Sequence, residues 1–335
     1  MGKHMGIAYI LIFLLFFLPW LWGEPSRAAA EPPQVQDQAP EPPEGETSPA
    51  GGVIDRSTML NILVGDQLRQ MDMETYLLGV VRAEMPASFE EEALKAQAVA
   101  ARTYTLYKRQ NGGSPNHPEA DACDDINCCQ AYKTYEEAAQ GWGADADAYE
   151  AKIRQAVEAT DGQCILYEGA PVLAVFHSSS VGTTQDVSAV WSGSLPYLQS
   201  VETPESDETV PNYRSTAVFQ ASALKAVLQD ALPDADLSQS PSNWFTNIRQ
   251  QPSGTVTGLA VGGVEVAGNR LRTILDLRSA CFTIAFDGDT VTFSVAGYGH
   301  GVGMSQYGAN VLAADGMGYQ DILEWYYTGT TVGLP

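Results

Sequence analysis

The chain of 335 residues carries 41 acidic against 18 basic side chains, giving a formal charge of −23 and an isoelectric point near 4.3. So acidic a surface lacks the basic footprint that phosphate binding demands, which excludes nucleic acid as a partner and disfavours docking on anionic lipid. The length admits one large α/β domain or two smaller ones, and a neutral or modestly charged substrate is the readier expectation.

Lys3 and His4 precede an uncharged run, GIAYILIFLLFFLPWLWG, that closes at Gly23. Its apolar stretch of about 17 residues lies between the core of a signal peptide and a full membrane span, and Trp20 and Trp22 suit a membrane–water interface. Residues 1–23 therefore read as an N-terminal membrane anchor. Cleavage by a signal peptidase near Ala28–Ala30 is the open alternative, and either way the remainder is exported. Residues 24–52 are acidic and proline-rich, with too few core-forming side chains to fold, and read as a disordered linker. Folded sequence runs from 53 to 335, without internal repeat or heptad pattern.

In chain order the folded part begins with a strand over 58–64. Asp72 then caps a helix that Pro86 ends, and Met73, Tyr76, Leu77, Val80 and Val81 form its buried stripe. Continuing that stripe arrives at Glu84. A carboxyl there meets two effects that disfavour its charge, burial and the negative end of the helix dipole. A glutamate kept protonated near neutral pH is a general acid. The competing reading is a frayed helix end, with Glu84 turned to solvent or paired with Arg82 or Arg102.

Ser88 and Glu91 suggest a capping box for a second helix, which runs to about Arg109. Its alanines allow close approach by another element. Lys95 and Arg102 share one face and Gln97 lies on another stripe; they are candidate substrate-binding residues, or simply solvated.

The segment HPEADACDDINCCQAY, residues 117–132, holds three of the five cysteines. His117, Cys123, Cys128 and Cys129 supply four soft or borderline ligands, enough for a closed structural zinc site. A disulfide and free thiols remain alternatives in an exported chain. Cys164 and Cys281 stand in apolar strand contexts and read as buried thiols.

Helices near 135–140 and 149–160 precede a hairpin over 163–177 whose second strand, from about Ala170, ends in the polar loop FHSSSVGTT. His177 and Ser178, Ser179 and Ser180 can hydrogen-bond sugar hydroxyls from such a loop, or merely stabilise a turn. No Gly-x-Ser-x-Gly elbow accompanies them, which disfavours a serine hydrolase. The acidic, proline-interrupted stretch from Glu202 to Asn243 reads as an insertion or peripheral lobe. Strands near 255–266, 281–286 and 290–296 bracket a helix at about 268–277, with a hairpin turn at FDGDTV.

GYGHGVGMSQYG places five glycines in twelve positions around His300, a density that signals positive φ or close backbone approach. The spacing matches no nucleotide-binding loop. A helix begins near Met304 with Gln306 and Tyr307 in its first turn, and His300, Gln306 and Tyr307 are further groove candidates. Two short helices close the chain. The fold class is mixed α/β (α+β): one domain with a substrate groove and a peripheral lobe.

Four segments, VVRAEMPASFEEEALKAQAVAARTYTL, FHSSSVGTTQDVSAVW, NRLRTILDLRSACFTI and GYGHGVGMSQYGA, resemble in content and order the motifs of the stage II sporulation protein D family. The resemblance covers essentially all of 53–335, and the anchor with its spacer is similar as well. It implies a peptidoglycan lytic transglycosylase acting on peptide-free glycan strands, outside the membrane, during forespore engulfment. It also implies a membrane complex with a partner amidase or endopeptidase and a scaffold protein. The glutamate of the Glu-Met-Pro motif, here Glu84, becomes the catalytic residue. Some members hold a structural zinc at the cysteine segment, with histidine at the position of Cys128. Relatives described as amidase enhancers imply a second role, a non-catalytic module that binds peptidoglycan.

Overall fold

The computed structural model describes residues 53–335, apart from Pro115 and Ser192. The expected anchor (1–23) and linker (24–52) lie outside the described residues. Among those described, no helix is long and apolar enough to cross a membrane.

The chain opens with α1 (Val53–Ser57) and the hairpin β1 (Met59–Val64) and β2 (Gln67–Asp72). The strand β2, QLRQMD, is exposed along most of its length and carries no apolar alternation, which is why periodicity misses it. Next come α2 (Met73–Glu84), α3 (Glu91–Gln110) and the short β3 (Ala122–Cys123), then α4 (Tyr135–Trp142) and α5 (Ala146–Ala159). Asp72 caps α2 as expected, accepting from Thr75 N–H at 2.8 Å, and the apolar stripe is buried in full. The expected capping box on α3 does not form. Glu90 is the N-cap and makes no side-chain cap, whereas a capping box does join Thr134 to Glu137 on α4.

Helix α3 is the axis of the first core. Its alanines and Val99 are fully buried, and α2, α5 and β4 pack on it, together with two later helices. The chain goes on through β4 (Cys164–Tyr167), β5 (Ala170–Pro171), β6 (Phe176–His177) and α6 (Val187–Val190). Only β4 and β5 form the expected hairpin; β6 leaves it and pairs in parallel with a strand far along the chain.

The following elements build a second core: β7 (Arg214–Gln220), α7 (Ala221–Ala231), β8 (Phe245–Gln250), β9 (Val256–Val261), β10 (Val264–Ala267), α8 (Gly268–Ile274), β11 (Phe282–Asp287) and β12 (Thr290–Ala296). Two antiparallel sheets, ordered β10-β9-β8 and β11-β12-β7, share this core with Leu224, Leu228 and Leu271. The peripheral lobe is thus larger than the expected 202–243. Strand β7 pairs with β12, Gln220 opposite Thr290 and Arg214 opposite Ala296, a partnership so distant in sequence that a local reading of an acidic segment cannot contain it. The FDGDTV turn is present, with Gly288 at φ +54.

The chain then returns to the first core with β13 (Met304–Ser305), α9 (Gln306–Ala314), α10 (Tyr319–Tyr326) and β14 (Thr331–Gly333). The parallel pair β6–β13 draws the serine loop and the glycine loop side by side.

Candidate functional site

Residues of the first core, the serine and glycine loops, and Arg272 of α8 line a groove of 520 Å³. Glu84 contributes from the last position of α2, after which Met85 turns extended (φ −126, ψ 136) ahead of Pro86. Its Oε1 accepts the Ala131 N–H at 2.6 Å. Burial pushes the carboxyl above its ordinary pKa, and the Ala131 hydrogen bond offsets this only in part. Neither arginine of the competing reading reaches it. Arg82 is held bidentate by Glu150, at 2.8 and 2.5 Å. Arg102, 1 % exposed, grips the buried Asp55 from Nε and Nη2, the shorter bond at 2.6 Å, and donates from Nη1 to the Gln163 carbonyl.

The segment that carries Ala131 is docked on the helix pair. Gln130 is buried and donates to Thr105 Oγ1 at 3.1 Å, Tyr104 donates to the Cys128 carbonyl, and Tyr132 lies over Gly79 of α2. Immediately before it, the sulfurs of Cys123, Cys128 and Cys129 lie within 4.8 Å of one another, with Ser114 Oγ 3.0 Å from Cys128. Three thiols so grouped can hold a metal ion, and a sulfur donor set suits zinc. His117 does not join them. Its side chain is 38 % exposed and faces Glu119 at 3.8 Å, so the expected four-ligand set is reduced to three. All five cysteines are free thiols.

The opposite wall comes from the serine and glycine loops. Gly297, Gly299, Gly301 and Gly303 all adopt positive φ, and a Cβ on Gly299 would sit 2.7 Å from that of His177. His177 is buried, with Nδ1 on the Val302 carbonyl (3.1 Å) and Nε2 on Ser180 Oγ (2.6 Å). Burial, assisted by the neighbouring His300, pushes its pKa down to about 3. Both nitrogens are engaged, so His177 frames the wall and keeps no donor for a sugar. His300 is pushed down to about 4 by burial and the nearby Arg272. Its Nδ1 accepts from Val302 N–H at 3.1 Å, which places the proton of the neutral ring on Nε2.

Of the other expected substrate-binding residues, Ser178 and Gln306 line the groove, and Gln306 donates to the buried Gln97 at 3.2 Å. Ser179 faces the adjacent small pocket, its backbone paired with Tyr298. Tyr307 packs edge-on against Phe89, 4.9 Å between ring centres, and does not line the groove. Lys95 is held at 2.8 Å by both Glu91 and Glu92, and Arg102 by Asp55; neither lines the groove. These basic side chains satisfy acids of their own fold.

Trp191, Arg272, Tyr298 and Asn127 line the groove without having been singled out from the sequence. Trp191, 40 % exposed, stands 4.9 Å from His300, centre to centre. Trp191 and Arg272 lie within the quoted segments, but only long-range packing brings them to the groove. Among the described lining residues Glu84 is the one carboxylate.

The family model for stage II sporulation protein (SpoIID) matches residues 65–167, which include Glu84 and the cysteine cluster. Stage II sporulation protein D of Bacillus subtilis (strain 168) is 37 % identical over 265 residues, covering 79 % of this chain and 75 % of that protein. Its counterpart in Bacillus amyloliquefaciens is 35 % identical over the same shares. A Bacillus subtilis protein named amidase enhancer is 30 % identical, covering 76 % of this chain and 40 % of that one. On this similarity across the folded region, the chain belongs to the stage II sporulation protein D family.

Proposed function

We propose that the chain is a peptidoglycan lytic transglycosylase. It cleaves the bond between N-acetylmuramic acid and N-acetylglucosamine in peptide-free glycan strands and leaves 1,6-anhydro ends. The observation that carries this reading is Glu84, a carboxyl with no cationic partner among the described residues, its pKa raised by burial, facing a groove with no second carboxylate among its described lining residues. Glycosidases that use water or a covalent intermediate need two carboxyls. A transglycosylase manages with one. Protonated Glu84 donates to the bridging oxygen as the C1–O bond breaks. The carboxylate so formed then takes the proton of the muramyl 6-hydroxyl, whose oxygen closes onto C1. Glu84 ends neutral again and water is not consumed.

The remaining groove groups fit a saccharide. Trp191 offers a flat apolar face to a pyranose ring, and Gln306 and Ser178 offer hydrogen bonds to hydroxyl or acetamido groups. The two neutral imidazoles do not compete with Glu84 as acids at neutral pH. Cys123, Cys128 and Cys129 would hold a structural zinc that fastens the loop bearing Ala131, and so the backbone N–H on Glu84. The domain acts on the extracytoplasmic side of the cell membrane, held by the N-terminal segment, beside a partner amidase or endopeptidase and a scaffold of the engulfment machinery.

The relative named amidase enhancer favours a second reading, a peptidoglycan-binding module that stimulates a partner amidase. One experiment separates the two: incubation of the purified protein with peptide-free glycan strands and mass spectrometry of the products. Anhydro-muramyl ends that vanish in Glu84→Ala support the enzyme. Intact strands with faster turnover of an added amidase support the enhancer, and reducing ends containing solvent oxygen would mean hydrolysis.

A further inference from the structure

Arg272 is the one cation among the described residues lining the groove, as Glu84 is the one anion. Several arginines elsewhere in the fold sit on acids, Arg82 on Glu150, Arg102 on Asp55 and Arg249 on Glu265, and Arg278, which has no acid among the described residues, lies over the Tyr298 ring without lining the groove. Arg272, in the last turn of α8, has no such partner among the described residues. Its Nε donates to the Arg278 carbonyl at 3.2 Å, and Asp276, one turn further on, stays beyond ion-pairing distance. Burial works against its charge, and that charge in turn depresses His300. A partly desolvated guanidinium without a counter-ion is an unmet demand for a planar anion.

We propose that Arg272 binds the lactyl carboxylate of N-acetylmuramic acid, and thereby selects glycan from which the stem peptide has been removed. The muramyl lactyl group ends in an amide while a peptide is attached and in a carboxylate once the peptide is cut away. Only the carboxylate carries the charge and the two equivalent oxygens that a guanidinium fork takes up. The amide leaves the guanidinium without a counter-ion, and a site built for a charged pair discriminates strongly against the uncharged analogue. A chain of net charge −23 repels a polyanionic strand at a distance, so a cation inside the groove also supplies the local attraction the surface lacks. The identity of the sugar rests on the transglycosylase reading; recognition of a saccharide carboxylate by Arg272 does not.

The test uses the full chain with Glu84→Gln, so that binding is measured without cleavage. Two probes derive from one batch of amidase-treated glycan strands: one with free lactyl carboxylates, the other with these converted to methylamides. In titration calorimetry the carboxylate strands bind about tenfold or more tightly than the methylamide strands, the scale of one charge-assisted bidentate contact. Adding Arg272→Gln abolishes the preference by weakening the carboxylate strands alone, and Arg272→Lys retains part of it. Equal binding of the two strands, or a preference that survives Arg272→Gln, overturns the proposal. The two-strand comparison needs no change at Arg272, so equal binding overturns the proposal even where Arg272→Gln fails to fold, and in that case a preference undiminished in Arg272→Lys overturns it as well. Product analysis with Glu84 intact is a separate readout: an Arg272-dependent preference without anhydro-muramyl ends leaves this proposal standing and removes the transglycosylase.

Discussion

Replacing Arg102 by alanine tests whether this residue serves the fold or the substrate. The guanidinium is 1 % exposed, donates from Nε and Nη2 to Asp55 at 2.6 to 3.0 Å, and donates from Nη1 to the Gln163 carbonyl at 3.1 Å. Asp55 is itself 3 % exposed, so Arg102→Ala strands a buried carboxylate beside Asp161 and opens the space of the largest fully buried side chain. Breaking a buried ion pair from one side costs about 3–5 kcal/mol, a large part of the roughly 5–15 kcal/mol that holds a domain together. For a folded region of this size, with an unfolding entropy of about 0.6 kcal/mol/K, that lowers the melting temperature by about 5–8 °C. Thermal and urea unfolding, read by circular dichroism and tryptophan fluorescence, measure it. The pH dependence has a definite sign. Burial already holds the Asp55 pKa above its ordinary value against the opposing pull of Arg102, and removing Arg102 raises it further. The deficit is therefore largest where Asp55 is driven to ionise and shrinks as pH falls and the carboxyl takes up a proton. Asp55→Asn in the Arg102→Ala background recovers part of the loss. A variant within about 1 kcal/mol of the parent, with weakened glycan binding instead, would refute the structural assignment.

Glu84→Gln keeps the acceptor for Ala131 N–H but has no proton to give, so anhydro-muramyl ends disappear while the fold persists. Because the Glu84 pKa is raised, the protein with Glu84 loses stability relative to the glutamine variant as pH rises through that pKa, and its cleavage rate falls over the same interval; pH series of unfolding midpoints and of initial rates check both. Protein purified without chelator contains close to one zinc per chain by elemental analysis, and Cys123→Ser or Cys129→Ser removes it and lowers the unfolding temperature; a stoichiometry near zero in the parent protein sinks the metal site. Gly299→Ala, at φ +114 and 2.7 Å from the His177 Cβ, costs on the order of 1–3 kcal/mol and displaces His177, read by unfolding together with loss of cleavage.

Much of the fold that depends on near neighbours could be read from the residues themselves. Asp72 and Pro86 bound a helix whose stripe of Met73, Tyr76, Leu77, Val80 and Val81 is buried as its spacing demands, and the same spacing singles out Glu84. The glycine loop announces its positive φ angles by composition, and the cysteine segment announces a cluster. These are local properties, set by the periodicity of one helix or by the conformational range of one residue type.

What tertiary structure decided is where each polar group finds its partner. Lys95, Gln97, Arg102 and Tyr307 all fall within the motifs, yet Lys95 and Arg102 are satisfied by acids, Tyr307 packs on an aromatic ring, and Gln97 is buried and accepts a hydrogen bond from Gln306. Conversely Trp191 and Arg272, bland in their own segments, face the groove. His117 lies outside the cluster that its spacing suggested, because spacing counts residues and not directions. The lobe extends beyond its acidic segment because β7 pairs with β12, and no local pattern encodes a partner that distant. A side chain's chemistry is written in the sequence, but whether that chemistry is left over for a substrate depends on which neighbours packing brings within hydrogen-bonding distance.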